Sequence, residues 1–161
     1  MFDLKPLSER LIEIKSSGKK IVFTNGVFDI LHRGHVTYLK EAKKHGDILI
    51  VGINDDKSVK RLNKAPGRPI NPEDARAFII SELKSVDFTV LFTDDTPLEM
   101  IKIIMPDVLV KGGDYDPNCT NENNKTYIVG SKEVVANGGK VISIDLVAGY
   151  STTNIIKKIN S

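Results

Sequence analysis

The chain has 161 residues, with 23 Lys+Arg against 21 Asp+Glu and a formal net charge of +2. That length suits one domain with one substantial core, and 40% apolar with 27% charged residues excludes a disordered chain. So small a net charge argues against nucleic acid as a partner and leaves room only for a local basic site for phosphates. A single cysteine, Cys119, excludes an internal disulfide framework and a Cys-rich zinc site. Met1 to Lys20 alternates charges with single apolar residues and holds no secretory core. The longest apolar run, Ile48-Leu49-Ile50-Val51, is far short of a membrane span. The reading is a cytoplasmic protein with no membrane partner: one domain over 1–161, an N-terminal helix over 1–19 and a core over 20–160.

Leu7, Leu11, Ile12 and Ile14 mark a short amphipathic helix that Ser16-Ser17-Gly18 ends. Lys20 to Thr24 is a β-rich run stopped at Asn25-Gly26. Val36, Leu39 and Ala42 recur every three residues, so a helix is expected from about Gly34 to His45, with Gly46 ending it. The run Ile48 to Val51 reads as a strand buried on both faces, followed by a short helix over Asp55 to Leu62. Asn63 to Asn71, with two prolines and a glycine, reads as a loop. Pro72 then opens a helix capped by Asn71, with Ala75, Phe78, Ile79 and Leu83 inward.

Phe88 to Phe92 is a third strand, and Thr96-Pro97 opens a helix that Pro106 closes, with Leu98, Ile101 and Ile104 inward. Val108 to Val110 is a fourth strand, ending at Lys111-Gly112-Gly113. Asn118 to Lys125 reads as a mobile loop, Glu133 to Asn137 as a short helix, Lys140 to Asp145 as a fifth strand, and Ser151 to Ile159 as a last helix. Strands alternating with helices imply an α/β, Rossmann-like doubly wound, mainly parallel five-stranded sheet with helices on both faces. Ligands of such sheets sit at the carboxyl ends of the strands.

The chemistry concentrates where the first strand ends. No Gly-x-Gly-x-x-Gly follows it and no P-loop occurs anywhere, which weakens the nicotinamide and P-loop readings. Instead it runs into Thr24-Asn25-Gly26-Val27-Phe28-Asp29-Ile30-Leu31-His32-Arg33-Gly34-His35, which holds two of the three histidines at a strand-to-helix turn. Gly34 lets the backbone approach a ligand closely. The helix start offers unpaired N–H groups and a positive dipole end. Two imidazoles beside it make an anion site suited to a phosphate that gains charge in a transition state. The competing explanations are helix-start histidines satisfied by backbone, and a metal pair. The latter lacks a third ligand at suitable spacing, so no protein metal site is assigned.

The pattern Gly26-x-Phe28-Asp29-x-x-His32-x-Gly34-His35 resembles the signature of the cytidylyltransferase-like nucleotidyltransferases. A second family signature is matched by Gly149-Tyr150-Ser151-Thr152-Thr153-Asn154-Ile155 before the last helix. The resemblance spans Lys20 to Asn160. Within the family the chain is most similar to the heptose 1-phosphate adenylyltransferase branch. The stretches that carry this likeness are Lys60-Arg61-Leu62, Arg68-Pro69-Ile70-Asn71-Pro72, Val110-Lys111-Gly112-Gly113-Asp114-Tyr115 and Gly130-Ser131-Lys132-Glu133-Val134. The loop Asp116 to Val129 is longer than in that branch. The glycerol-3-phosphate cytidylyltransferase branch carries an arginine where Leu146 stands here.

The resemblance implies a stand-alone enzyme that moves AMP from ATP to a sugar 1-phosphate, with Mg²⁺ accompanying the ATP and the chain forming a homo-oligomer, a dimer among the options. It implies catalytic roles for His32, His35 and Lys64. It implies nucleotide contacts from Asn25, Gly26, Val27, Phe28, Gly34, Arg61, Arg76, Gly112, Asp114, Gly149, Tyr150, Ser151, Thr152 and Thr153. Plainer explanations stand beside several of these. Ser151-Thr152-Thr153 also reads as a helix N-cap, and Lys60, Arg61 and Lys64 as a solvated charge run. Arg76, behind Glu73-Asp74, also reads as a helix-surface salt bridge, and Gly112-Gly113-Asp114 as a tight turn. Cys119 receives no role. A CTP-dependent transferase acting on glycerol phosphate, and a noncatalytic nucleotide sensor, remain the rival readings.

Overall fold

A computed structural model of the chain describes residues 4–62, 67–159 and 161. The strands among them are β1 (Ile21–Gly26), β2 (Ile48–Asn54), β3 (Phe88–Phe92), β4 (Val108–Gly112) and β5 (Lys140–Ile144). They form one sheet in the order β3-β2-β1-β4-β5, and every ladder is parallel. The doubly wound α/β expectation therefore holds, with no antiparallel edge among the described residues. The helices are α1 (Leu4–Ser16), α2 (Arg33–Lys43), α3 (Asp56–Arg61), α4 (Glu73–Ser81), α5 (Leu98–Ile104), α6 (Ser131–Ala136) and α7 (Thr152–Ile159).

Strand alternation sorts the core into two layers. Phe23, Ile50 and Leu109 face one way and pack with Leu7 and Leu11 of α1, Met100, Ile101 and Ile104 of α5, and Val134 of α6. Val22, Leu49, Val51 and Val110 face the other way, against Tyr38, Leu39 and Ala42 of α2 and Ala77 and Ile80 of α4. With apolar cover on both faces the strands need no polar alternation, which explains the continuous run in β2.

Three details of the sequence reading are corrected. Ile12 is 71% exposed rather than inward, because it lies roughly 100° further round the helix than Leu11. In α4 the buried face is Arg76, Ala77 and Ile80, while Phe78 is 66% exposed; the helix is turned by one residue so that the Arg76 guanidinium reaches buried acceptors. The cap of α4 is Pro72 itself, without a side-chain bond. Asn71 Nδ2 donates instead to the Asp29 carbonyl at 2.5 Å, so the predicted cap is taken up by a long-range bond.

The chain runs β1-β2-β3 to one edge and returns to place β4 on the other flank of β1. The β1–β4 ladder covers only Val22–Val108 and Phe23–Leu109, although β1 runs on to Gly26 and β4 to Gly112. This is the switch point of the sheet, where such folds form their binding crevice.

Candidate active site

His32 is the N-cap of α2, with extended backbone at φ −144 and ψ 168, and its Nδ1 accepts from the His35 amide at 3.4 Å. In the neutral ring the proton then sits on Nε2, which becomes a donor. The two imidazoles stack with centroids 3.8 Å apart and planes 19° apart, and Phe28 meets His35 edge-on at 5.2 Å. Desolvation lowers His35 to about 4, with the charges of His32 and Arg68 adding to it. Burial also lowers His32. At neutral pH the pair is therefore uncharged and can donate N–H bonds beside the amide groups of the helix start. His35 Nδ1 is buried and has no hydrogen-bond partner among the described residues.

The approach to this turn is held from behind. Phe28 takes a left-handed backbone at φ 49, a conformation that costs a non-glycine residue on the order of 1 kcal/mol and persists only where its surroundings impose it. The adjacent Asp29 carboxylate is fully buried and accepts from Arg68 Nε at 2.9 Å, Ile70 N at 2.7 Å and Asn71 N at 3.0 Å. One side chain thus ties the segment before α4 onto the turn that carries the histidines. Tyr38, one turn into α2, shares a 2.7 Å hydrogen bond with Thr24 of β1, and burial pushes its phenol up.

Across the crevice, Lys111 Nζ of β4 donates to Asn25 Oδ1 of β1 at 2.6 Å and lies 5.3 Å from the Tyr115 ring centre. The segment before α7 closes the third side. A Cβ on Gly34 would sit 3.0 Å from the His32 ring and 3.1 Å from Tyr150 Cβ, so glycine there lets the two ligand-facing helix starts meet. Arg33 lies 5.6 Å from the Tyr150 ring centre.

These walls enclose a cavity of about 460 Å³. All four tyrosines of the chain, Tyr38, Tyr115, Tyr127 and Tyr150, line it. Of the predicted site residues it brings together Asn25, Gly26, Val27, Phe28, His32, Gly34, His35, Gly112, Asp114, Tyr150, Ser151 and Thr152. Gly149 and Thr153 flank the lining without joining it. Ser151 Oγ also accepts from the Asn154 amide at 3.0 Å, so its capping use is real and leaves the helix-start amides beside it.

Two predicted arginines sit apart from the lining. Arg76 is 1% exposed. Its Nη1 donates to Val27 O at 2.7 Å, Nε to Asn71 O at 3.0 Å, and Nη2 to Asp56 Oδ1 at 2.8 Å. It shapes the turn from beneath rather than presenting charge to the cavity. Arg61 Nε donates to Asp95 Oδ1 and Nη2 to Thr93 O, each at 2.5 Å. Lys64 lies outside the described residues.

Asn54, Asp95 and Tyr127 line the cavity beyond the predicted site residues, and Lys111 and Tyr115, from the stretch that carries the family likeness, line it with them. Asn54 ends β2 and Asp95 follows β3, at the carboxyl edge of the sheet, but no local sequence pattern distinguishes Asn54, Asp95 or Tyr127 from ordinary loop residues. Among the described residues no group of three His, Cys, Asp or Glu could hold a metal ion. The described residues therefore fit a divalent cation as a companion of bound phosphates and not as the occupant of a cage of protein ligands. No helix among the described residues is long and apolar enough to cross a membrane.

The cytidylyltransferase-like family matches residues 23–158. A protein named bifunctional protein HldE from Cronobacter sakazakii is 51% identical over 153 residues, covering 95% of this chain and 30% of that protein. Its namesake from Shigella sonnei is 53% identical over 145 residues, covering 90% and 28%. The chain thus spans about 30% of the length of these curated relatives. The crystal structure of the lipopolysaccharide core biosynthesis protein from Thermoplasma volcanium superposes with a TM-score of 0.60 at 32% identity, covering 81% of this chain and 98% of that one. Pantothenate synthetase from Thermus thermophilus, at 14% identity and a TM-score of 0.55, shares the fold.

Proposed function

The chain belongs to the cytidylyltransferase-like family, and from that premise we propose that it is a nucleotidyltransferase that moves AMP from ATP to D-glycero-D-manno-heptose 1-phosphate, giving ADP-heptose and pyrophosphate. The observation that carries the reading is the meeting of two helix starts on one cavity. The stacked His32–His35 pair stands at one, and Ser151 and Thr152 at the other. The sugar 1-phosphate branch is favoured by Lys111, Gly112, Asp114 and Tyr115 on the cavity wall, and by Leu146 on the same wall, where resemblance to the glycerol-3-phosphate branch would call for an arginine. The likeness to a lipopolysaccharide core biosynthesis protein is in keeping with a sugar acceptor.

In this reading a phosphate oxygen of the acceptor attacks the α-phosphorus in line. The new P–O bond forms as the bond to the bridging oxygen breaks, and pyrophosphate leaves with the electron pair. The attacking phosphate is already anionic at neutral pH, so no general base is required. Catalysis is positioning and charge stabilisation. His32 donates from Nε2 to the phosphate oxygens. His35, neutral, stacked on His32 and sharing the helix start, gives a second N–H to the α-phosphate and bridging oxygens. The amides at the starts of α2 and α7 flank the phosphates. A Mg²⁺ ion accompanying the nucleotide would supply further neutralisation of the phosphate charge beside these amides. Asp114 and the Gly112 backbone read the base or ribose, and Lys64 supplies a cation to the β- or γ-phosphate. The enzyme works in the cytoplasm as a homo-oligomer.

The test is pyrophosphate release, with four NTPs screened against a panel of phosphorylated acceptors. ATP with heptose 1-phosphate should exceed CTP with glycerol 3-phosphate by roughly 10⁴-fold in kcat/KM, because an acceptor lacking the sugar hydroxyls leaves polar groups of the site unpaired. Equal or reversed preference refutes the heptose assignment. No pyrophosphate with any pair refutes catalysis and leaves the nucleotide-sensor reading.

A further inference from the structure

Resting on that adenylyl-transfer reading, we propose that Asp95 and Tyr127 are specificity-determining residues of the acceptor site and select an acceptor with a ring face and several hydroxyls. The nucleotide in this reading uses the starts of α2 and α7 and the end of β4. The remaining wall includes the β3–α5 loop, with Asp95 and Thr96, and the long loop after β4, with Tyr127, beside Asn54, Leu62, Leu146 and Val147.

Both pieces are held more firmly than surface loops need to be. The β3–α5 loop is fastened to α3 at three successive residues. Arg61 Nη2 donates to Thr93 O at 2.5 Å, Ser58 Oγ to Asp94 O at 3.1 Å, and Arg61 Nε to Asp95 Oδ1 at 2.5 Å. Arg61 therefore fixes an otherwise exposed carboxylate at the cavity rim. Among the described residues it engages Oδ1, and no donor engages Oδ2. A carboxylate oriented in this way accepts hydrogen bonds from neighbouring hydroxyls without reorganising on binding.

The long loop leaves and returns through a neck closed by the Asp116 amide on Thr126 O at 2.9 Å. Tyr115 and Tyr127 flank that neck, one on each strand of it, and both line the cavity. The excursion itself carries side-chain-to-backbone turns at Asp116, Asn121 and Asn124 and an ion pair from Lys132 to Glu122, so the expected mobile loop is internally braced. Its return packs on α5. Ile128 is fully buried in the same cluster as Met100 and Ile101. A Cβ on Gly130, at φ +86, would stand 2.5 Å from Ile101 Cδ1. The helix that follows Asp95 and Thr96 is thus the platform for Ile128 and Gly130, which anchor the segment next to Tyr127. Two tyrosines offer apolar faces to the C–H side of a sugar ring and hydroxyls to its edge. A three-carbon acceptor has no ring face and too few hydroxyls to use both the tyrosines and the carboxylate.

Asp95→Asn and Tyr127→Phe keep the shape of each side chain and remove one charge and one hydroxyl. Steady-state pyrophosphate release is measured with ATP and heptose 1-phosphate. Each variant should raise the KM for the sugar phosphate roughly tenfold or more, the loss expected when a hydrogen bond to substrate disappears. The KM for ATP should stay within about twofold and kcat within about threefold, with heat stability unchanged. Wild-type turnover with an unaltered sugar-phosphate KM in both variants overturns this assignment alone. So does a loss that falls on the ATP KM instead. Wild-type protein that releases no pyrophosphate with any acceptor overturns the adenylyl-transfer reading, and this proposal with it.

Discussion

Arg76→Lys separates a guanidinium that shapes the site from one that touches the nucleotide. The native side chain is fully buried and satisfies three acceptors on three segments: the Val27 carbonyl at 2.7 Å, the Asn71 carbonyl at 3.0 Å and Asp56 Oδ1 at 2.8 Å. A lysine keeps the charge but brings one nitrogen in place of a planar fork. It can hold one of these acceptors well and leaves the other two without their donor. At roughly 1.5 kcal/mol for each charge-assisted bond lost, the variant should unfold about 3 kcal/mol more easily. For a chain of this size that corresponds to a Tm lower by roughly 6–12 °C. Urea unfolding should show a lower midpoint at unchanged slope. Titration calorimetry with ATP, done well below the transition, should return an affinity within about twofold of wild type. An unchanged unfolding midpoint together with a tenfold loss of ATP affinity would refute the argument and return Arg76 to the nucleotide.

His32→Ala or His35→Ala should lower kcat by roughly 10²–10³ with a smaller change in KM, the loss expected for one transition-state donor. Because the rings stack at 3.8 Å, the double variant should be scarcely worse than either single one in the same pyrophosphate assay. His35 falls from 6.5 to about 4 on folding, so the unfolded chain takes up its proton first. Stability should therefore decline as pH drops from about 6.5 towards 4 and level off below, by on the order of 2 kcal/mol once partial exposure is allowed for. Denaturant midpoints for His35→Gln should show a shallower decline over that window than wild type. Gly130→Ala should destabilise by about 2 kcal/mol, through its positive φ and the Ile101 contact, and should raise the sugar-phosphate KM by moving Tyr127. A wild-type melting curve would show that this end of the loop is not braced as described.

The apolar runs that became β1 to β5 and the turn from Asn25 to His35 are local features, and each was legible in the sequence. A fully covered parallel strand needs only its own side chains to announce it, and a capped helix start with two histidines is a matter of a few adjacent residues. The last helix and its Ser151 cap were legible for the same reason. What the sequence could not carry was the meeting of distant segments. The apolar periodicity of α4 pointed Phe78 inward, but the helix is phased instead by Arg76. Its three acceptors come from the turn after β1, the start of α3 and the segment before α4 itself. Arg61 reads as a nucleotide contact or as part of a charge run beside Lys60 and Lys64; only packing of α3 on the β3–α5 loop turns it towards Asp95. Tyr115 and Tyr127 are separated by an Asn-rich excursion and become neighbours through a neck closed between Asp116 and Thr126. Periodicity and capping act over a few residues and so are written along the chain. The phase of a helix, the partner of a buried charge and the wall of a cavity depend on which strand lies beside which, and the order β3-β2-β1-β4-β5 is settled only when the whole sheet is assembled.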